Sequence, residues 1–424
     1  MAKKGAHRTI YVYADWVGLG QPTLMGLLHS TLLRGKEIFS FEYNEAWLKS
    51  RSSQALDPDL GFFSGIQYLN DEKPNFGIFL DSSPDRWGRT LMDRREAAIA
   101  RSEGRPPKNL FETDYLLGVY DGHRMGAIRF KDSLDGPFLN RNTSMATPPW
   151  TSIRELEHAS LKLEEDGGHD AENLRWLNLL VAPGSSLGGA RPKASVLDEH
   201  GELWIAKFPS LQDDRDIGGW EKVAYDLARN AGINVPESVT GKFYSKKHTF
   251  LTKRFDRTSQ GERIHFASAM TLLGRTDGTN HSSGASYLDL AEFIMQNGAS
   301  PDADLEELWR RIVFYISISN TDDHLRNHGF LLTDKGWTLS PAYDINPVPT
   351  GTGLSLNIST TDNALSIDLA LEVAEYFRVS DEKATEIISV IQSEVSKWES
   401  IAEKVGIPKA ERNAIAKAFK YQSN

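Results

Sequence analysis

The sequence of 424 residues contains no cysteine. This absence excludes disulfide frameworks, thiolate nucleophiles and cysteine-ligated metal sites, and it is compatible with a reducing compartment. A basic surplus is also missing, because 58 acidic side chains outnumber 48 basic ones and give a formal net charge of −10. Direct binding to duplex DNA normally requires the opposite surplus, so we do not expect nucleic acid as a direct partner.

Long apolar runs are absent as well. No stretch is apolar for long enough to cross a bilayer, and residues 1–13 pass from a short basic stretch into an alternating segment without the apolar run of a signal peptide. We therefore expect a cytoplasmic protein without membrane contact. The composition, 40% hydrophobic and 25% charged, is typical of a globular protein, and the length predicts two or three lobes.

The N-terminal third carries mixed strand and helix signals. Residues 8–16 alternate between polar and apolar side chains, which predicts a strand. Ser83 followed by a proline predicts a helix over residues 84–100 with Ser83 as its N-cap. Residues 136–149 are rich in Pro, Asn, Ser and Thr and lack periodicity, so we place a domain boundary there.

Beyond this boundary, strand signals come first and helix signals later. A helix is predicted from Trp220, with Gly232 as its stop, and the final helical part is clearest from Ser380. The order predicts a β-rich lobe followed by an α-rich lobe. The predicted strands cover residues 193–197, 202–208, 242–244 and 249–253.

The segment NTDDHLRN, residues 320–327, is the most informative one. Asp322 and Asn327 have the spacing D-x-x-x-x-N, with which protein kinases place a proton-accepting carboxylate and a magnesium-binding carboxamide on one turn. Asp344, in SPAYDIN, follows Asn327 by seventeen residues across a predicted hairpin, where a kinase has its second metal-binding Asp, although D-F-G is absent. The alternative is that Asp322 and Asn327 only cap a loop. The order Asp, Asn, Asp disfavours that alternative.

Residues 184–193, GSSLGGARPK, lie directly before a predicted strand. Small residues allow backbone N–H groups to approach phosphate oxygens, and Lys193 can add positive charge. The segment matches neither the P-loop nor the glycine-rich kinase motif, so an ordinary flexible turn remains the alternative.

Lys207 ends a predicted strand, and Glu221 follows fourteen residues later on the next helix. Kinases hold the α and β phosphates of ATP with such a lysine, paired with a glutamate on the following helix. The alternative is a solvated lysine and an ordinary surface acid. The apolar neighbours of Lys207 favour the functional interpretation.

His324 and His328 have the i, i+4 spacing of H-E-x-x-H metallopeptidases. Leu325 occupies the position of the general-base glutamate, so the sequence argues against a zinc site. His324 is instead predicted to brace the catalytic loop.

These segments resemble the HipA family, the kinase toxins of bacterial toxin–antitoxin pairs. The resemblance covers nearly the whole chain and rests on FLDSSPDRWGRTLMDRR, LLGVYDGHRMGAIRF, SLGGARPK, IAKFP, INVPES, KRFDR, NTDDHLRN and PAYDIN. It implies an α+β HipA-like kinase fold. In that fold an N-terminal β-rich domain, residues 1–150, is followed by a β-rich nucleotide lobe, residues 151–260, packed on an all-α lobe, residues 261–424.

The resemblance also implies a serine/threonine protein kinase that uses ATP and Mg²⁺. Asp322 becomes the catalytic base, Asn327 and Asp344 bind magnesium, and Lys207 holds phosphates with Glu221 as its ion-pair partner. The phosphate loop here reads ARPK where the best-known members read AQEK. The implied ATP-binding residues are Gly188, Gly189, Ala190, Arg191, Pro192 and Lys193 in the phosphate loop, Lys207, Lys253, Arg254 and Phe255 at the hinge and strand ends, Asp256 near the ribose, and His324, Asn327, Tyr343 and Asp344.

Regulation and partners are implied in the same way. Ser186, or the adjoining Ser185, matches the serine that the family autophosphorylates. Family members phosphorylate a protein substrate, an aminoacyl-tRNA synthetase in some cases, and are neutralised by a small DNA-binding antitoxin of the HipB type. DNA would then be reached only through the antitoxin.

Two other function classes stay open. Aminoglycoside kinases also use an Asp and an Asn on a catalytic loop, so a small-molecule phosphotransferase is one alternative. The separate N-terminal domain and the serine-bearing loop argue against it. The other alternative is a catalytically idle HipA-like corepressor, and the intact set Lys207, Asp322, Asn327 and Asp344 argues against that one.

Overall fold

The structure is a computed structural model. It describes residues 7–50, 54–69, 73–141, 147–166, 177, 180 and 191–420. The chain divides into two compact units. The first contains Met1–Ile205, Asp256–Ala267 and Gly274–Thr276, and the second contains Ala206–Phe255, Ser268–Leu273 and Asp277–Asn424. The division into domains 1–150, 151–260 and 261–424 stays a prediction.

The first unit contains a five-stranded antiparallel sheet of order β4-β3-β2-β1-β5. Alternation along β1 places Ile10, Val12 and Ala14 in the core. The strand predicted over residues 8–16 is therefore present, although it ends at Ala14. The strands are β1 His7–Ala14, β2 Thr23–Leu33, β3 Lys36–Tyr43, β4 Gln67–Tyr68 and β5 Ile128–Lys131.

Helices also belong to the first unit. The helix predicted over residues 84–100 is α3, but its N-cap is Asp85 rather than Ser83. The Asp85 Oδ1 atom accepts a hydrogen bond from the Gly88 N–H at 2.8 Å, whereas the Ser83 hydroxyl donates back to the Phe79 carbonyl oxygen at 2.8 Å. The helices are α1 Glu45–Leu48, α2 Gly77–Leu80, α3 Arg86–Ser102, α4 Glu112–Gly118 and α5 Ile153–Asp166.

A four-stranded sheet of order β6-β7-β9-β8 follows, and β7 itself carries the chain from the first unit into the second. The predicted hairpin and the strand over residues 249–253 are present. The strand predicted over residues 242–244 is wrong, because those residues form the connection to β9 and the β-branched Val239 and Thr240 form the strand instead. The strands are β6 Lys193–Leu197, β7 Leu203–Lys207, β8 Ser238–Gly241 and β9 Thr249–Lys253.

The C-terminal part is mainly helical but not all-α, because it includes a three-stranded sheet of order β10-β11-β12. The helix predicted from Ser380 begins there, with the Ser380 hydroxyl oxygen accepting from the Lys383 N–H, but Trp398 belongs to a separate helix. The strands are β10 Phe266–Ser268, β11 Gly329–Thr333 and β12 Gly336–Leu339. The helices are α6 Ile217–Asn230, α7 Ala269–Leu272, α8 Tyr287–Asn297, α9 Pro301–Ile318, α10 Ile367–Glu372, α11 Asp381–Val395, α12 Trp398–Val405 and α13 Lys409–Ile415.

Two helices of the second unit prepare the candidate site. Helix α6 has a continuous buried face, which includes Glu221, and Gly232 with φ +79° follows it as predicted. Helix α9 is buried through its last two turns and ends at Ser319, which adopts the left-handed conformation with φ +51°. That reversal directs residues 320–327 away from the helix axis. Within the described ranges, no helix is both long and apolar enough to cross a membrane.

Candidate functional site

The loop after α9 alternates between exposed and buried side chains. The Asp322 side chain is 74% exposed, whereas Asp323, Leu325 and Asn327 are buried. The Asn327 Nδ2 group donates a hydrogen bond to the Asp322 carbonyl oxygen at 2.6 Å. The carboxamide therefore fixes the turn that presents the Asp322 carboxylate to solvent.

Asp323 anchors the loop to two other segments of the second unit. The Tyr287 hydroxyl donates a hydrogen bond to Asp323 Oδ2, and the Ser355 N–H donates to Oδ1 at 2.6 Å. Complete burial raises the pKa of Asp323 to about 7, although both hydrogen bonds act in the opposite direction. Asp323 thus ties the loop to α8 and to the segment around residue 355.

His328, and not His324, holds the loop through a hydrogen bond. Its Nε2 atom lies 3.1 Å from the Asp323 carbonyl oxygen, and burial lowers its pKa to about 3, so the ring is neutral. His324 is 35% exposed, and its Nε2 atom lies 3.9 Å from Asp322 Oδ1. His328 therefore contributes a hydrogen bond to this loop, and the bracing role of His324 stays a prediction.

Lys207 is the electrostatic centre of the site. Its Nζ atom lies 2.6 Å from Glu221 Oε1 and 2.7 Å from Asp344 Oδ1, and Lys207 and Glu221 are both buried. Burial alone would lower the pKa of Lys207, but the Asp344 and Glu221 carboxylates outweigh it and hold the pKa above its ordinary value. The predicted pair of a strand lysine and a helix glutamate is therefore present, and Asp344 joins it.

Asp344 adopts the left-handed backbone conformation, with φ +57°. Its N–H donates to the Tyr225 hydroxyl at 3.3 Å, so a side chain of α6 helps to hold this unfavourable conformation. A strained aspartate held by a second element is typical of a functional position. Asp344 and Lys207 are 137 positions apart in the sequence, and the fold brings them into contact.

The pKa of Asp322 lies above its ordinary value. Partial desolvation in the loop and the Asp344 carboxylate raise it, while His324 and Lys207 act in the opposite direction. Most of the side chain still meets water, which screens these charges. Asp322 is thus a solvent-accessible carboxylate within the field of Lys207 and Asp344, which suits a general base.

The predicted metal ligands pass one structural test. The Oδ1 atom of Asn327 is buried and has no hydrogen-bond partner. A buried carbonyl-type oxygen without a donor is costly unless a cation or another group meets it, and oxygen donors of this kind are those that Mg²⁺ prefers. Among the described residues, no group of three or more His, Asp or Glu side chains could hold a metal alone. Asn327 and Asp344 therefore suit a cation that also binds ligand oxygens.

The predicted hinge lies at the end of β9. The Lys253 N–H donates to the Glu237 carbonyl oxygen at 2.9 Å, and Arg254 is buried. The Phe255 ring lies 5.7 Å from the ring of Tyr343, whose hydroxyl donates to the Arg326 carbonyl oxygen at 2.7 Å. These two aromatic side chains form an apolar surface within the second unit. Tyr343 directly precedes Asp344 in the sequence.

Other predicted residues belong to the first unit. Asp256 is fully buried, and its Oδ2 atom accepts hydrogen bonds from the Gly126 N–H at 2.8 Å and from Arg257 Nη1 at 2.6 Å. The Lys193 Nζ atom lies 2.6 Å from Asp85 Oδ2, and both side chains are buried. Their predicted contacts with ribose and phosphate stay predictions.

The predicted phosphate loop is described only at its end. Arg191 is half-buried and Pro192 is buried. The other predicted residues of this loop lie outside the described residues. They are Ser185, Ser186, Gly188, Gly189 and Ala190.

Sequence reasoning missed Asp323 and the role of His328. The doubled aspartate in NTDDH was the available signal, since adjacent residues of an extended segment often face opposite sides, and here Asp322 is exposed and Asp323 is buried. Tyr287 and Ser355, which fix Asp323, are distant in sequence and carry no motif.

A family model described as HipA-like C-terminal domain matches residues 185–419. The chain is 29% identical over 187 residues to a Haemophilus influenzae protein named "Putative kinase", covering 39% of this chain and 54% of that one. It is 29% identical over 234 residues to "Putative kinase Y4dM" of Sinorhizobium fredii, covering 50% and 55%. The chain therefore spans about half the length of these curated relatives.

The fold also matches a solved structure, a complex of the Shewanella oneidensis MR-1 toxin–antitoxin proteins HipA and HipB with their operator DNA. The match has a TM-score of 0.62 at 18% identity and covers 96% of this chain and 94% of that one. The predicted α+β HipA-like kinase fold is confirmed by this match. Because the family model covers more than half of the sequence, the chain belongs to the HipA family.

Proposed function

We propose that this protein is an ATP-dependent serine/threonine protein kinase. The observation that carries the proposal is the position of Lys207, buried between Glu221 at 2.6 Å and Asp344 at 2.7 Å, with the exposed Asp322 in its field. Kinases use this combination to hold phosphates and to present a base to the attacking hydroxyl. The relatives named as kinases support the same assignment.

In the proposed reaction a serine or threonine hydroxyl of the substrate approaches Asp322. The bond between the hydroxyl oxygen and the γ-phosphorus forms while the bond to the β–γ bridging oxygen breaks, and ADP leaves with that electron pair. The Asp322 carboxylate accepts the hydroxyl proton. Exposure of Asp322 suits this role, because the substrate is a protein surface that must reach it from solvent.

Magnesium, when bound with ATP, would neutralise charge on the phosphate oxygens. Asn327 would offer its buried, unpartnered Oδ1 atom, and Asp344 would offer its carboxylate. Lys207 would exchange part of its contact with Asp344 for the phosphates while Glu221 keeps it in place. The aromatic surface of Phe255 and Tyr343 would receive the adenine, with Lys253 and Arg254 as the hinge backbone.

The partners belong to the same proposal. A protein substrate is proposed because Asp322 is open to solvent, and a small antitoxin of the HipB type is proposed because the Shewanella protein was solved with HipB. DNA would be contacted by that antitoxin, in keeping with the net charge of −10. Self-phosphorylation at Ser186 or Ser185 is the proposed form of regulation.

The test is a phosphotransfer assay on cell lysate with labelled ATP, followed by mass spectrometry of the labelled species. Asp322→Ala should reduce labelling by about 10²-fold or more without unfolding the protein. Asp334→Ala is the matched control, since Asp334 is an exposed aspartate in the β11–β12 turn. The wild type and the control should both label a protein and the peptide that contains Ser185 and Ser186.

Each alternative has its own outcome in this assay. Label on a small molecule, with no labelled protein, would support the small-molecule phosphotransferase. A folded wild-type protein that labels nothing would support the idle corepressor. Near-normal labelling by Asp322→Ala would remove Asp322 from the role of base.

A further inference from the structure

A groove of about 730 Å³ lies within the second unit, along residues 222–230 of α6. Its walls are one side of α6, strand β8, His248 and the end of α12. This volume lies in the range of about 300–1,000 Å³ that is usual for ligand sites. None of the residues that carry the proposed phosphotransfer lines it.

The groove is basic on an acidic protein. Lys222, Arg229 and Lys404 line it, and Asp226 is the one acidic residue among its lining residues. Asp226 already pairs with Lys222 on the same helix. Arg229 donates to the Pro236 carbonyl oxygen at 2.9 Å, an acceptor without formal charge. The surplus of positive charge calls for an anionic ligand.

One wall of the groove is the free edge of a sheet. Strand β8 is the terminal strand in the order β6-β7-β9-β8. The consecutive residues Ser238, Val239 and Thr240 all line the groove, whereas one face of a strand would offer only every second residue. The groove therefore meets the backbone edge of β8.

The hydrogen-bond pattern identifies which backbone groups face outward. The Glu237 carbonyl oxygen accepts from the Lys253 N–H, and Ser238 lies opposite Thr252. Because antiparallel pairs alternate, Ser238 and Thr240 direct their backbone N–H and C=O groups away from β9. Such an edge can accept a further strand.

The Ser238 side chain adds a second polar group to this edge. It is 5% exposed, it lines the groove, and its hydroxyl has no hydrogen-bond partner. A buried hydroxyl without a partner costs free energy that a bound ligand with a polar group would recover.

We propose that this groove binds an extended acidic peptide segment of a partner protein, which adds to β8 as a strand. Its backbone would pair with the outward groups of Ser238 and Thr240. Its carboxylates would meet Lys404, Arg229 and Lys222. Addition of a strand to an open edge, with side-chain contacts that select the sequence, is an established mode of peptide recognition. The inference does not depend on phosphotransfer.

Fluorescence anisotropy with a labelled peptide of alternating glutamate and valine tests the proposal on the full chain. We expect saturable binding that weakens at high salt. Lys404→Glu and Arg229→Glu should each weaken it about tenfold. Lys335→Glu makes the same charge change in the exposed β11–β12 turn and should leave binding unchanged. Lys404 is exposed, so its variant should fold even if the Arg229 variant does not.

Backbone pairing is tested separately. The same peptide with N-methyl groups on alternate residues keeps its carboxylates but loses the donors of a strand, and it should bind much more weakly. No saturable binding of the unmodified peptide would overturn the proposal. Equal binding of the N-methylated peptide, or displacement by inorganic phosphate at low concentration, would show a simple anion site instead.

Discussion

Asn327 donates its side-chain Nδ2 hydrogen to the carbonyl oxygen of Asp322, 2.6 Å away, and leaves its own Oδ1 buried without a partner. One side chain therefore shapes the turn that carries the proposed base and also keeps an oxygen available for a cation. Replacement by alanine would remove both the nitrogen that shapes the turn and the oxygen that is proposed to bind magnesium.

For this reason Asn327→Ala should abolish the thermal stabilisation of the protein by ATP with magnesium. A ligand at 100 times its Kd stabilises the native state by about 2.7 kcal/mol, which is readily measured as a Tm shift. In the wild type the shift should appear with magnesium and disappear in EDTA. Asn297→Ala, at an exposed helix end, is the control and should keep the wild-type shift. Equal stabilisation in EDTA would contradict the metal role of Asn327.

Asp323 should make stability depend on pH. Its pKa is about 7 in the folded state against an ordinary 3.8, so the folded protein binds the proton more tightly than the unfolded chain. The free energy of unfolding should therefore fall as pH rises from about 4 to about 7, by at most about 4 kcal/mol. Urea unfolding of Asp323→Asn should show a flatter pH dependence across that window. An unchanged slope would mean that Asp323 is not the titrating group.

Loss of the Lys207 charge should cost more stability than loss of the Glu221 charge. Lys207→Met leaves the buried Glu221 without this counter-charge and should cost about 3–5 kcal/mol in urea unfolding. Glu221→Gln keeps the contact between Lys207 and Asp344 and should cost less. Both variants should raise the KM for ATP. A larger loss of stability in Glu221→Gln than in Lys207→Met would contradict this ordering.

The buried pair of Asp85 and Lys193 should matter for the first unit alone. Asp85→Asn preserves an N-cap for α3 but removes the charge 2.6 Å from Lys193, and we expect a loss of about 3 kcal/mol. Lys193→Met in the same background should recover much of that loss. If the double variant is as unstable as the single one, the charge pair with Lys193 is not responsible for the loss.

The features that were predicted best from the sequence are those that depend on residues a short distance apart in the chain. Asp322 and Asn327 lie on one turn, and Lys207 and Glu221 lie on a strand and the helix that follows it, so local periodicity sufficed. Spacing could not show that His328 contacts the Asp323 carbonyl oxygen, because that contact depends on the path of the chain after Ser319. It also could not place Asp85 at the cap of α3, since Ser83 is an equally good capping residue.

Long-range contacts were predicted less well. Asp344 reaches Lys207 across 137 positions and through a left-handed backbone conformation that no local signal announces for an aspartate. Tyr287 and Ser355 converge on Asp323 from two separate segments. Tertiary packing decides such contacts, and a single sequence records only the residue types that permit them.

The contact between Asp85 and Lys193 also bears on how this protein could have been assembled in evolution. The recurring family segment begins at residue 185 and includes Lys193, but the carboxylate that meets this lysine lies a hundred positions upstream. A gene fragment that carried only the recurring segment would bury the ammonium group without Asp85. Recombination at that border would separate Lys193 from a carboxylate that lies 2.6 Å away in the fold, so the two stretches of gene are expected to be inherited together.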